Sequence, residues 1–149
     1  MPNTSLIFSG GLTPSDATLE IVRTIQNVDL VIAADDPAIW ANPADPSASV
    51  VVATDKKSGL YLYDMQGRVL QHLPDGKMNN VDLREGFQLG GKGVVLVTAS
   101  NRTDRTIAIY RLDMASRQLV NVADGQQPTE LEDPYGLCMY RDQAGKMFV

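Results

Sequence analysis

Val50-Val51-Val52-Ala53, Leu60-Tyr61-Leu62-Tyr63 and Val69-Leu70-Gln71-His72-Leu73 form three short apolar-rich runs. They are parted by Lys57-Ser58-Gly59 and by Asp64-Met65-Gln66-Gly67. β-branched and aromatic residues between turn-forming residues read as strands, and such short intervals read as hairpins, so this stretch predicts a three-stranded meander. The pattern returns as Val94-Val95-Leu96-Val97, Thr106-Ile107-Ala108-Ile109-Tyr110, a turn near Ala115-Ser116, and Gln118-Leu119-Val120-Asn121-Val122. Aligning the copies sets Tyr63 against Tyr110, 47 residues apart. That spacing falls within the about 40 to 50 residues of a four-stranded propeller blade.

A fourth strand is expected ahead of each triplet. The candidates are Asp36–Trp40, Val81–Arg84 and Tyr135–Tyr140, each beginning at or beside an acid: Asp36, Asp82, and Glu132 or Asp133. The first strand of a blade lines the central channel, so acids at matching positions would converge at one mouth of it. The expected fold is therefore all-β, with about two and a half propeller blades, the third breaking off in its second strand at Met147-Phe148-Val149. Residues 29–149 form the partial propeller, and Asp29–Ala33 reads as a strand that closes the ring. Residues 1–28 read as an N-terminal extension with one helix around Ser15–Thr24, capped by Ser15. A self-contained β-sandwich or open sheet built from the same strands is the alternative.

Composition narrows function by exclusion. A formal charge of −5 disfavours a broad grip on nucleic acid or on an anionic membrane, because both need clustered cations. No run approaches the roughly 18 to 20 apolar residues that cross a bilayer, and the start of the chain lacks the features of a secretory signal. Cys138 is the only cysteine, and its setting in Leu137-Cys138-Met139-Tyr140 predicts a buried, inert thiol. His72, the only histidine, falls in a predicted strand and reads as structural; neither residue has the surroundings of a phosphatase nucleophile.

Five blocks, DDPAIWANP (35–43), TDKKSGLYLYD (54–64), GKMNNVDLR (76–84), ASNRTDRTIAIY (99–110) and PYGLCMY (134–140) followed by Gly145-Lys146, resemble in order and spacing the β-propeller phytases. The similarity covers about 120 residues from Val31 onward. The resemblance implies a six-bladed propeller of which this chain is the N-terminal portion. It also implies a calcium-dependent enzyme that hydrolyses phosphomonoesters of myo-inositol hexakisphosphate, and a secreted or periplasmic location. Its partners would be phytate and lower inositol phosphates, together with the remaining blades or a second phytase domain. The charge argument agrees with this chemistry, since Ca²⁺ on carboxylates lets an acidic protein hold a polyanion.

Carried over by residue, the resemblance implies that Asp36 is a calcium ligand, with the carbonyls of Pro37 and Val81 as further donors. Asn80 and Asp82 follow as second choices. Lys56, Arg102 and Tyr135 correspond to the residues that hold the substrate phosphate and support catalysis. Lys56 acts as a point charge and Arg102 as a planar fork, the two sharing the charge that grows in the transition state. Lys57 is expected to point away. Trp40 reads as packing between blades. The implied mechanism is attack on phosphorus by calcium-bound water, without a covalent enzyme intermediate.

The chain departs from the family pattern at Asp55, where asparagine is usual, and at Glu130-Leu131-Glu132-Asp133-Pro134 ahead of Tyr135. Two other functions compete. One is a non-catalytic, incomplete propeller domain that binds calcium and inositol phosphates; the other is a protein-interaction scaffold without metal dependence.

Overall fold

The computed structural model describes residues 34–149; the helix expected at Ser15–Thr24 and the strand at Asp29–Ala33 lie outside them. Strands β1 (Ala34–Trp40), β2 (Val50–Asp55), β3 (Gly59–Asp64) and β4 (Val69–Leu73) form one antiparallel sheet in sequential order. Strands β5 (Met78–Leu89), β6 (Lys92–Asn101), β7 (Thr106–Asp113) and β8 (Gln118–Asn121) form a second of the same order. A two-residue ladder, β9 (Tyr140–Arg141) with β10 (Met147–Phe148), starts a third unit. The architecture is all-β, with two blade-like four-stranded meanders as the sequence predicts, and no α-helix among the described residues.

The turns follow from local chemistry. Asp64 Oδ1 accepts the backbone N–H groups of Gln66 and Arg68, and Asp113 Oδ1 accepts those of Ala115 and Ser116, so each carboxylate closes its own hairpin. Gly59 opens β3 at φ 115°, and a Cβ there would lie 2.0 Å from the carbonyl oxygen of Leu73. Only glycine suits that position.

The sheets pack face to face. Trp40, Val50, Val52, Leu60 and Leu62 of the first meet Val81, Val95, Val97, Tyr110, Leu112 and Leu119 of the second. A fully buried side chain of this kind contributes roughly 1.5 to 3 kcal/mol through water release, so this seam is the main cohesive element. Trp40 is 3% exposed and donates its indole N–H to Glu85 Oε1 at 2.8 Å, which bears out its packing role and adds a polar link across the seam. A second cluster, Val51, Ala53 and Tyr63 with Tyr61 and Met65, lies on the opposite face of the first sheet. Strand β2 is thus buried along its whole length.

Cross-strand registers give the repeat a residue-level form. Ile39, Val51 and Tyr63 are aligned across the first sheet as Leu83, Val97 and Tyr110 are across the second. Both inner strands also break register at the same place, between Ala34 and Pro37 and between Met78 and Val81. A bulge that recurs in this way is a built feature. Asp36 consequently matches Asn80, and Asp82 stands two residues further along. The expectation that Asp36 and Asp82 hold matching positions is therefore corrected.

Two other expectations change. Residues 135–139 form no ladder: side chains of the second sheet take the Tyr135 carbonyl and both backbone groups of Met139 instead. Cys138 is exposed rather than buried, because no sheet face packs over it among the described residues.

Candidate phosphate site

The bulges place a short polar cluster at one end of the seam. Thr54 and Ser100 are matching residues near the ends of β2 and β6, and each hydroxyl serves two units. Thr54 Oγ1 accepts the Asp36 N–H (3.0 Å) and donates to the carbonyl of Asn79 in the next unit (2.8 Å). Ser100 Oγ accepts the Asn80 N–H (3.1 Å) and donates to the carbonyl of Tyr135, again in the next unit (2.8 Å). Asn79 Nδ2 donates to the same Tyr135 carbonyl at 3.2 Å.

One residue on, Asp55 matches Asn101. Asp55 Oδ1 accepts the N–H groups of Lys57 and Ser58, while Asn101 Oδ1 accepts that of Thr103. The unusual Asp55 caps its turn as Asn101 does, and the oxygen it uses is turned to backbone. Next come Lys56 and Arg102, so the two proposed phosphate cations are one position repeated in successive sheets.

Tyr135 brings them together. Lys56 Nζ lies 5.2 Å and the Arg102 guanidinium carbon 5.1 Å from the centre of its ring, and Lys56 also donates to its hydroxyl at 3.4 Å. The tyrosine is half exposed, which leaves the group open to a ligand. Each cation has an acidic partner: Lys56 Nζ is 3.0 Å from Asp35 Oδ2, and Arg102 donates through Nε (2.7 Å) and Nη2 (3.1 Å) to the two oxygens of Asp133. The hydrogen bond to Asp35 raises the pKa of Lys56, that to Asp133 raises the pKa of Arg102, and Arg102 in turn lowers that of Asp133. Both cations stay charged, and their exposure keeps these pairs weak in stability terms.

The residues named for metal divide. Asp36 is half-buried, and its Oδ2 accepts the N–H of Val81 at 3.0 Å. Pro37 and Val81 are matching positions directly after the two bulges. Asn80 Oδ1 accepts from Asn79 Nδ2 at 2.7 Å. Asp82 has both oxygens engaged: Oδ1 by the Leu83 N–H and Arg84 Nη1, Oδ2 by the Met139 N–H. Its carboxylate works as a clamp on the third unit. Asn79 Oδ1 is a buried acceptor with no donor among the described residues, the sort of atom that a cation or an ordered water satisfies. Among the described residues no three His, Cys, Asp or Glu side chains converge as a metal group. Asp36 and Asn79 thus fit part of the shell of about six to eight oxygens that Ca²⁺ takes, and do not complete it.

Asp35, Asn79 and Ser100 were not singled out by sequence reasoning, and Asp133 was named only as one of two acids that could lead the third inner strand. A signal for part of the set was present: Thr54-Asp55-Lys56 and Ser100-Asn101-Arg102 repeat as hydroxyl, Asx, cation, and the doublets Asp35-Asp36 and Asn79-Asn80 repeat near the start of the two inner strands.

The chain is 41% identical over 115 residues to a 3-phytase of Bacillus subtilis (strain 168), an alignment covering 74% of this chain and 30% of the relative. The chain therefore matches less than a third of the length of that curated protein. A family model described as Phytase matches residues 16–149, nearly the whole sequence, and reaches into the segment read as an extension. By that match the chain belongs to the phytase family.

Proposed function

We propose that the protein containing this chain is a calcium-dependent phytase, and that Lys56, Arg102 and Tyr135 hold a phosphate of myo-inositol hexakisphosphate or of its lower esters. The observation that carries this reading is the grouping of two cations from successive sheets around one half-exposed tyrosine of a third unit. A planar fork and a point charge on either side of an aromatic ring suit a tetrahedral anion, with Arg102 bridging two oxygens and Lys56 neutralising a third. The Tyr135 hydroxyl, already in contact with Lys56, is a further donor at that position. These groups can stabilise charge that develops on the phosphoryl oxygens without taking part in covalent chemistry.

Calcium, in this proposal, is held by Asp36 together with carbonyl or amide oxygens around the bulges, those of Pro37, Val81, Asn79 and Asn80, and by donors outside the described residues. When bound it would supply positive charge and an activated water. Asp82 is assigned instead to the clamp on Met139. Residues 29–149 are proposed as a partial propeller whose partners are further blades or a second phytase domain, and the protein is proposed to work outside the cytoplasm.

The test is release of inorganic phosphate from phytate, with Ca²⁺ and with a chelator, by the protein and by its Lys56→Ala and Arg102→Ala variants. Activity should fall by on the order of a hundredfold in Arg102→Ala, as for other removed transition-state donors. Undiminished release from the double variant would sink the assignment.

A non-catalytic reading is favoured by one observation, the lack of a three-acid metal group among the described residues. It predicts that phytate binds, by calorimetry, while no phosphate is released.

A further inference from the structure

Arg102 is gripped from two sides by one short segment. The Asp133 carboxylate takes the side edge of the guanidinium through Nε and Nη2, and the Tyr135 ring lies 5.1 Å from its central carbon. Between them Pro134 is buried, which ties the two grips together. The segment is itself fixed to the second sheet, since the Tyr135 carbonyl accepts from both Ser100 Oγ and Asn79 Nδ2. The Arg102 backbone N–H is held as well, by the carbonyl of Lys77 at 2.9 Å.

Of the five N–H donors of an arginine, two point at Asp133. The three that remain belong to Nη1 and the outer side of Nη2, which form a second fork directed away from the carboxylate. A long side chain that would otherwise sample many rotamers is thus oriented before any anion arrives.

We propose that Asp133 is a positioning residue for phosphate recognition: it orients Arg102 so that the outer guanidinium fork faces the ligand. This rests on the reading of Arg102 as a phosphate-holding residue. Such orientation serves bound substrate and transition state alike, so its loss appears in KM rather than kcat.

The experiment uses the intact protein with phytate as substrate and inorganic phosphate as competing ligand. For Asp133→Asn the expected result is a KM raised roughly tenfold, an inhibition constant for phosphate raised to match, kcat within about twofold, and an unchanged melting temperature. Asp133→Glu, which keeps the charge and the bidentate geometry, should recover most of the loss. Asp133→Ser serves as a second removal should the first variant melt early. An unchanged KM in folded variants overturns the proposal. A lowered KM also overturns it, because Asp133 would then be a stand-in anion that phosphate must displace. Failure of Asp133→Glu to rescue would reduce the residue to local structure and overturn it too. Arg102→Ala, run alongside, separates the two levels: if it lowers kcat/KM while Asp133→Asn leaves KM unchanged, only this inference fails. If Arg102→Ala has no effect, the phosphate assignment fails with it.

Discussion

Tyr63 and Tyr110 hold the same position in successive sheets, both with essentially no exposure, yet among the described residues only the Tyr110 hydroxyl has a partner, Asp75 Oδ2 at 2.7 Å. Tyr110→Phe removes a hydrogen bond to a carboxylate and should destabilise the fold by about 1.5 to 3 kcal/mol. Tyr63→Phe removes a hydroxyl without a partner and should leave stability unchanged or slightly raised. Denaturant titration of both variants checks this, and equal losses would contradict it.

The same pair governs behaviour in alkali. Burial pushes the Tyr63 hydroxyl up to about 12 and raises that of Tyr110 further, where Asp75 adds to the effect. An unfolded tyrosine ionises near pH 10, so above that point the unfolded chain loses protons that the folded chain retains. The folded pKa is raised on an acid, hence stability is complete below about pH 10 and declines as pH climbs toward the folded values. Melting temperatures between pH 8 and 11.5 should fall at the upper end, and the fall should be shallower in Tyr63→Phe. A level profile would count against the burial of both hydroxyls.

Thr98 matches Val52 in the other sheet. Both side chains are fully buried, but the Thr98 hydroxyl has no hydrogen-bond partner among the described residues. Thr98→Val should therefore stabilise by about 1 kcal/mol, since a desolvated hydroxyl is removed at nearly constant volume. A melting temperature below that of the parent would show that the hydroxyl is engaged in the native protein.

Ser100 joins the second sheet to the third unit through the Tyr135 carbonyl. Ser100→Ala leaves the Asn80 N–H without its partner and that carbonyl with only Asn79 Nδ2, at an expected cost of about 1 to 3 kcal/mol. Ser100→Thr should be tolerated, because Thr54 fills the matching position in the first sheet. Were the threonine variant as unstable as the alanine, the correspondence between the two hydroxyls would be wrong.

Asp55→Asn is expected to be nearly silent. Asn101 already does in the second sheet what Asp55 does in the first, accepting backbone N–H groups of the turn through its side-chain oxygen. Turnover of phytate should stay within about twofold and stability within about 0.5 kcal/mol. A large drop in calcium affinity in this variant would instead make Asp55 a metal ligand.

The meanders were legible in the sequence because their determinants are local. Alternating Leu60-Tyr61-Leu62-Tyr63 and the turns at Asp64 and Gly59 each carry their own geometry, and the 47-residue repeat follows from them. The Lys56–Tyr135–Arg102 grouping came from family resemblance, and the structure supplies the reason these residues meet. Register across the seam was not legible. A bulge ahead of Pro37 and another ahead of Val81 move the acids relative to the repeat, so counting carboxylates paired Asp36 with Asp82 when Asn80 is its match. The same limit explains Tyr135–Met139: an apolar run suggests a strand, but whether it joins a ladder depends on neighbours distant in sequence. Asp133 was visible as a possible lead acid of the third inner strand and as part of a departure from the family pattern, with nothing local to show that it faces Arg102.

The hydroxyls of Thr54 and Ser100 link the end of one sheet to the start of the next, and the two cations stand immediately beyond them. An anion that touches both Lys56 and Arg102 therefore lies across a joint, and acts there as a removable rivet between neighbouring units. By reciprocity, whatever tightens the joint tightens the anion, and a bound anion resists separation of the units in proportion to its concentration over its dissociation constant. Anion supply and cohesion of neighbouring units thus become two readings of a single equilibrium.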